Sequence, residues 1–215
     1  MTNIFRYDGF LSQTLNKMID CICLSLLWLI SSMPVVTIGA STTALYYTVN
    51  KCVRHSESGI WRAFWKSYRS NFKQATTLLL VLLPLYLVLA SSCYSAYVMY
   101  LSGEGSKIVP IFLLIVAAII TMWGNFIFPY LARFNDPSKR ILMNCIWIAL
   151  FNILWAILVM VLLVVAILLV LSFPLGLFIV PAVYMLVSGY ILEHVFRKYM
   201  SPEDLAKERG LDETN

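Results

Sequence analysis

Charge is what this chain has least of. Asp, Glu, Lys and Arg make up only 13% of its 215 residues, against 60% hydrophobic residues, where an ordinary soluble domain carries roughly 25% charged residues. That balance, with a mean hydropathy of +0.81, excludes a water-soluble globule. Histidine is nearly as scarce: His55 and His194 stand far apart, and no His-Glu-x-x-His pattern exists to suggest a zinc centre. The cysteines Cys21, Cys23, Cys52, Cys93 and Cys145 show no paired metal spacing and read as free thiols. Phosphate-cradling glycine loops and nucleic-acid modules are missing, so the pI near 9.0 is assigned to a positive membrane flank rather than to a nucleic-acid face. Gly39-Ala40-Ser41 has the Gly-x-Ser order of intramembrane serine proteases, but Thr42 stands where a Gly is usual and no apolar run carries a His base. Inside the long apolar runs there is no Asp, Glu, Lys, Arg or His, Asp20 lying near the end of the first; that argues against a proton relay or voltage sensor. The expectation is a protein with no catalytic residue, metal or cofactor, and no nucleic-acid partner.

What remains is apolar sequence in helix-length blocks. Five runs, at about 18–36, 76–100, 108–132, 141–171 and 174–192, reach the roughly 20 residues that cross about 30 Å of hydrocarbon. They predict an all-α membrane protein of about five transmembrane helices: a single multi-pass domain over 1–200 and a short cytoplasmic tail over 201–215. The fourth run is longer than a perpendicular span needs and predicts a separate interfacial helix near Asn144 and Trp147. Pro174 and Gly176 supply the break for a tight hairpin between the last two runs, and Pro84 and Pro181 predict kinks. In the tail, Ser201-Pro202-Glu203-Asp204 reads as the start of a short solvated helix ending near Gly210.

Orientation is expected from the basic residues. Lys51, Arg54, Arg62, Lys66, Arg69, Lys73, Arg133, Lys139, Arg140, Arg197, Lys198, Lys207 and Arg209 fall in alternate connections, leaving Arg6, Lys17 and Lys107 for the other side. Positive loops stay in the cytoplasm, so an odd number of spans puts the N-terminus outside and the C-terminus inside. The flank after the first run is more basic than the flank before it, and no small-x-small site follows; this reads as a retained span rather than a cleaved signal.

Residues 60–74, IWRAFWKSYRSNFKQ, form an amphipathic pattern. At helical spacing Trp61, Phe64, Trp65, Tyr68 and Phe72 share a stripe about 100° wide, flanked by a ridge of Arg62, Lys66, Arg69 and Lys73. This predicts an interfacial helix lying in the first cytoplasmic loop, its rings among acyl glycerols and its cations on anionic headgroups, each cation adding on the order of 1 kcal/mol. The alternative is a docking helix for a protein partner, with Ala63, Ser67, Ser70 and Gln74 on the remaining face. Within the spans, Asn125, Asn152 and Thr121 read as interhelical bridges, and Ala90, Ser91, Ser92, Ser95 and Ala96 as a small-residue packing surface.

The segment at 34–46, PVVTIGASTTALY, breaks the helical pattern. Pro34 ends or kinks the first span, Gly39 permits the turn, and Ser41, Thr42 and Thr43 can cap a new helix. Together with Thr37 these form a candidate binding element; the alternative is a plain break and cap at the inner membrane surface.

Three stretches carry a family resemblance: Tyr7-Asp8-Gly9-Phe10; Leu27-Trp28-Leu29 leading into PVVTIGASTTALYY; and Phe64 followed by Asn71-Phe72-Lys73-Gln74-Ala75. In these the chain resembles the YesL-like integral membrane proteins, found mainly in Gram-positive bacteria; the match rests on the first third of the sequence. The resemblance implies the bacterial cytoplasmic membrane and an accessory or regulatory role in carbohydrate uptake, with a sugar transporter or sensor component as partner. The Glu-Ala-Ala loop by which such transporters' permeases meet their ATPase is absent, which argues against a permease subunit. Two functions follow as expectations: a nonenzymatic interaction protein, or a channel or facilitator for small neutral solutes, oligomeric in one arrangement, gated at Pro34.

Overall fold

A computed structural model describes residues 10–54, 59–103, 106–134 and 136–200. The Tyr7-Asp8-Gly9 stretch, His55 and the 201–215 tail with its expected helix lie outside the described residues. Every regular element among them is helical: α1 (Phe10–Ser31), α2 (Ile38–Thr48) running into a π-helical turn (Val49–Arg54), α3 (Ile60–Leu101), α4 (Ile108–Arg133), α5 (Ser138–Phe151), α6 (Ile153–Ser172) and α7 (Val180–Phe196). Short 3-10 turns occupy Val35–Thr37, Pro174–Phe178 and Arg197–Tyr199. Among the described residues three helices are long and apolar enough to cross a membrane: α3, α4 and α6. At 17 residues α7 is shorter, about 26 Å at 1.5 Å per residue.

The helices pair as three antiparallel hairpins. In the first, α2 folds back along α1: the Thr37 hydroxyl lies against Ser31 O, and Trp28 Nε1 donates to Thr42 Oγ1 at 3.2 Å. In the second, Tyr86 of α3 donates to Ile120 O of α4, and Gln74, near the other end of the pair, donates to Asp136 O. In the third, α6 and α7 close through Pro174–Phe178, with Trp155 against His194 near their open ends. Ala182 N donates to Ser25 Oγ and α1 touches the Pro174–Phe178 turn, so the tips of the first and third hairpins lie at one end. The start of α1, the start of α3, the end of α4 and the end of α7 therefore share the opposite, open end.

This arrangement changes what 34–46 does. Proline has no N–H and disfavours helix at the residue before it, so α1 stops at Ser31 as expected. The chain then turns back into the bundle: Ala40, Ala44, Leu45 and Tyr46 are core residues. Gly39 is what allows it, because a Cβ there would stand 2.7 Å from the Phe128 ring and 2.9 Å from Ala75 O. Ser41, Thr42 and Thr43 do not cap α2. They lie inside it, Ser41 and Thr43 donating to the carbonyls of Thr37 and Gly39 one turn back.

Residues 60–74 are helical, but not as a separate element. No Gly or Pro separates them from the apolar run at 76–100, so α3 continues unbroken for 42 residues, about 63 Å. Gly59, at φ 99°, starts it in the left-handed conformation that glycine tolerates. The fourth apolar run does divide into two helices, α5, which carries Asn144 and Trp147, and α6: the break is Asn152, at φ −122° and ψ 44°. Pro181 starts α7 rather than kinking it, its missing N–H falling where a helix has no partner for one.

Packing is inverted relative to a soluble protein. The core is small, with Leu24, Phe64, Ala75, Leu78, Phe126 and Ile127 fully buried, while Leu87, Phe112, Leu114, Leu154 and Leu168 face outward. Apolar side chains on the outside are stable only where the surroundings are apolar too.

Candidate functional site

The helix-break residues separate into two groups. Pro34 is exposed; Thr37 is buried, its hydroxyl 2.7 Å from Ser31 O and 2.6 Å from Pro34 O, where its single proton can serve either carbonyl. Gly39, Ser41 and Thr43 are buried in helix packing. Thr42 alone of the set lines a cavity, of about 360 Å3, bounded by α1, α2, α4 and the α6–α7 hairpin. Its walls are apolar except for Trp28, Thr42, Asn125 and Tyr184. Trp28 Nε1 donates to Thr42 Oγ1, while Asn125 Nδ2 is buried without a hydrogen-bond partner. Asn125 therefore does not bridge helices as expected; Thr121 donates within its own helix, to Ala117 O, and its hydroxyl also meets that of Tyr86 on α3. Asn152 does make a cross-element bond, donating to Tyr199 Oη at 2.8 Å.

At the open end lies a polar cluster. Glu193 is 1% exposed; its Oε1 accepts from Tyr46 Oη at 2.9 Å and from Asn50 Nδ2 at 2.5 Å, and its Oε2 faces Arg133 Nη2 at 3.4 Å. One carboxylate thus meets α2, the π-helical turn, α4 and α7. Phe196, fully buried in the same last turn of α7, has ring contacts to Phe126, Tyr130 and Phe134. The last apolar run of the sequence ends at Leu192, one residue short of Glu193. The helix runs one turn further, and the signal was the spacing Ala182, Met185, Gly189, Leu192, Phe196, an inward stripe whose continuation brings Glu193 inside. Beside it Tyr130 donates to Asp136 Oδ2 at 2.7 Å and accepts from Asn144, while Arg140 pairs with Asp136; these bonds join α4 to the start of α5.

The first turns of α3 hold the third group. Phe64 is fully buried, Trp65 and Tyr68 are half-buried, and Trp61 and Phe72 are exposed. The rings form a ladder, Trp61 to Trp65 at 6.1 Å, Trp65 to Tyr68 at 5.3 Å and Tyr68 to Phe72 at 5.6 Å. Arg62, Lys66, Arg69 and Lys73 are exposed beside them, and a surface hollow of about 490 Å3 is lined by Trp61, Arg62, Trp65, Lys66 and Arg69. The small polar face is not available for docking as a whole. Ser67 is buried against the bundle, and Gln74 is bonded to Asp136 O, leaving Ser70 exposed. Ser91 and Ser92 point their hydroxyls back to Val88 O on the outward part of α3.

A protein family described as "Protein of unknown function, DUF624" matches residues 21–93, which is the stretch from α1 through the π-helical turn to most of α3. The match takes in Trp28, Thr42, Gly39 and the aromatic ladder, and stops before Asn125, Arg133 and Glu193. No curated protein and no solved structure matches the chain.

Proposed function

We propose that this is a nonenzymatic membrane protein that docks a partner at its cytoplasmic end, as an accessory or regulatory component of carbohydrate uptake. One observation carries the docking: α3 fixes Phe64, Ser67 and Ala75 in the bundle while presenting Trp61, Arg62, Trp65, Lys66 and Arg69 outward on the same rigid helix. Aromatic rings with arginine are the side chains that dominate protein interfaces, and the cations also suit anionic headgroups at that boundary. The carbohydrate assignment comes from the YesL-like resemblance. The test is affinity purification after gentle crosslinking under sugar induction, comparing the native chain with Trp61→Ala/Arg62→Glu/Lys66→Glu. Recovery of a transporter or sensor component by the native chain, lost in the variant, supports the reading; recovery of neither by the native chain ends it.

The membrane arrangement follows from the same end. Among the described Lys and Arg residues, Lys107 stands alone at the α3–α4 tip; the others lie toward the open end. The positive-inside rule then supports a cytoplasmic open end. With α2 returning along α1, the number of passes is even and the start of α1 is cytoplasmic, in place of five spans with an external N-terminus. α1, the short returning α2 and α7 join α3, α4 and α6 as membrane helices, and the membrane is the bacterial cytoplasmic one.

A second function, a facilitator for small neutral solutes, has one observation in its favour: Thr42 of the break element faces the cavity beside Trp28. Solute flux into proteoliposomes tests it, and an absence of flux across a sugar panel removes it.

A further inference from the structure

We infer that the cavity beside Trp28 is a lipid site: it takes an acyl chain, with an ester or ether oxygen of the same lipid accepting a hydrogen bond from Asn125. At about 360 Å3 it falls within the roughly 300–1,000 Å3 of ligand pockets.

The chemistry of the lining selects the occupant. Leu45, Leu163, Ile167, Val170, Val180 and Met185 give it apolar walls. Of the polar groups, Trp28 Nε1 is already committed to Thr42 Oγ1, while Asn125 Nδ2 is buried with no acceptor. A sugar entering here would leave most of its hydroxyls unpaired, which burial penalises. An ordered water needs two to four polar partners, which these walls do not gather around one point. A chain with a single acceptor oxygen satisfies both the walls and the orphan amide.

Access is independent evidence. A second hollow, of about 230 Å3 and almost wholly apolar, lies along the α6–α7 seam and shares Ala166, Val180 and Tyr184 with the first. Its other walls include Val165, Leu169, Val183 and Val187, all four of them exposed on the outer surface. The seam therefore connects the cavity's wall to the outer face of α6, the most apolar of the long helices. That is the route an acyl chain takes from the bilayer, and one closed to a solute arriving through water.

The experiment uses the full chain in nanodiscs containing phosphatidylglycerol with a diazirine on one acyl chain, irradiated and mapped by peptide mass spectrometry. Adducts are expected within 163–171 and 180–185. Ala166→Trp, which fills the shared wall, should reduce them at least tenfold while adducts on the outward residues 108–119 persist. Asn125→Leu should lower labelling by the ester lipid several-fold and leave labelling by a diazirine alkane without oxygen unchanged. If Ala166→Trp lowers adducts everywhere, Val170→Trp, judged by its thermal transition to be folded, decides by the same criterion. Unchanged labelling in the cavity-filling variants, or displacement of the lipid adducts by a neutral sugar, overturns the site. Loss of the α3 docking surface would not alter any of these results, so the two proposals fail separately.

Discussion

The Glu193 carboxylate and the Arg133 guanidinium meet at 3.4 Å, the acid 1% exposed and the base 26%, and so tie the last turn of α7 to the last turn of α4. Tyr46 and Asn50, from the first hairpin, both donate to Oε1, while Oε2 has the guanidinium charge but no hydrogen bond. A buried pair that loses one partner leaves an uncompensated charge, at about 3–5 kcal/mol. Arg133→Leu is therefore expected to lower unfolding stability in detergent by that order, and Arg133→Leu/Glu193→Leu to lower it less than Arg133→Leu alone. A double variant as unstable as the single one would show that packing around Phe196 rather than charge dominates there.

Gly39 gives a steric prediction. Gly39→Val places branched atoms where the Phe128 ring and Ala75 O already stand, and forced overpacking costs about 1–3 kcal/mol or more. Gly39→Ala should be destabilised less, and should recover part of that loss with Phe128→Leu, because the ring can be trimmed and the carbonyl cannot. Thermal unfolding followed by size exclusion reads both; a Gly39→Val protein as stable as native would contradict the close crossing of α2, α3 and α4.

Thr37 fastens the first hairpin through Ser31 O and Pro34 O. Thr37→Val keeps the shape and removes the donor, with an expected loss of about 1–3 kcal/mol for the acceptor left buried; Thr37→Ser should retain most of the stability. Equal losses for Val and Ser would assign the effect to the methyl group instead.

The even-pass arrangement is tested by impermeant maleimide on intact cells, in a chain whose native cysteines are replaced. Ser106→Cys, at the α3–α4 tip, is expected to label from outside. Leu15→Cys, exposed on the first half of α1, is expected to label only after the membrane is opened. Labelling of Leu15→Cys in sealed cells restores the five-span order.

The sequence made the long helices legible because hydropathy alone determines them: the runs at 76–100, 108–132 and 141–171 contain most of α3, α4 and α6. It made the break at Pro34 legible through proline's missing donor. What it hid were relationships between distant residues. Nothing local distinguishes a glycine that permits a turn from one that permits a three-helix crossing, and Gly39 is the second kind. Glu193 lay beyond the apolar run that defined the last span, yet the helix continues under it. Nor does amphipathicity decide between a helix lying flat and one that continues inward; for 60–74, the absence of any breaker before Thr76 mattered more than the aromatic stripe.

Between Trp61 and Leu82 α3 contains no glycine and no proline, so it has no soft joint from its exposed aromatic end to its buried middle. It works as a lever with its fulcrum near Ala75, where Gly39 and Phe128 press close. Fourteen residues of helix make an arm of about 21 Å, and a tilt of about 10° at that fulcrum displaces Trp61 by about 4 Å. Whatever binds the aromatic end acts mechanically on the crossing of α2, α3 and α4, and whatever loosens that crossing repositions the binding surface.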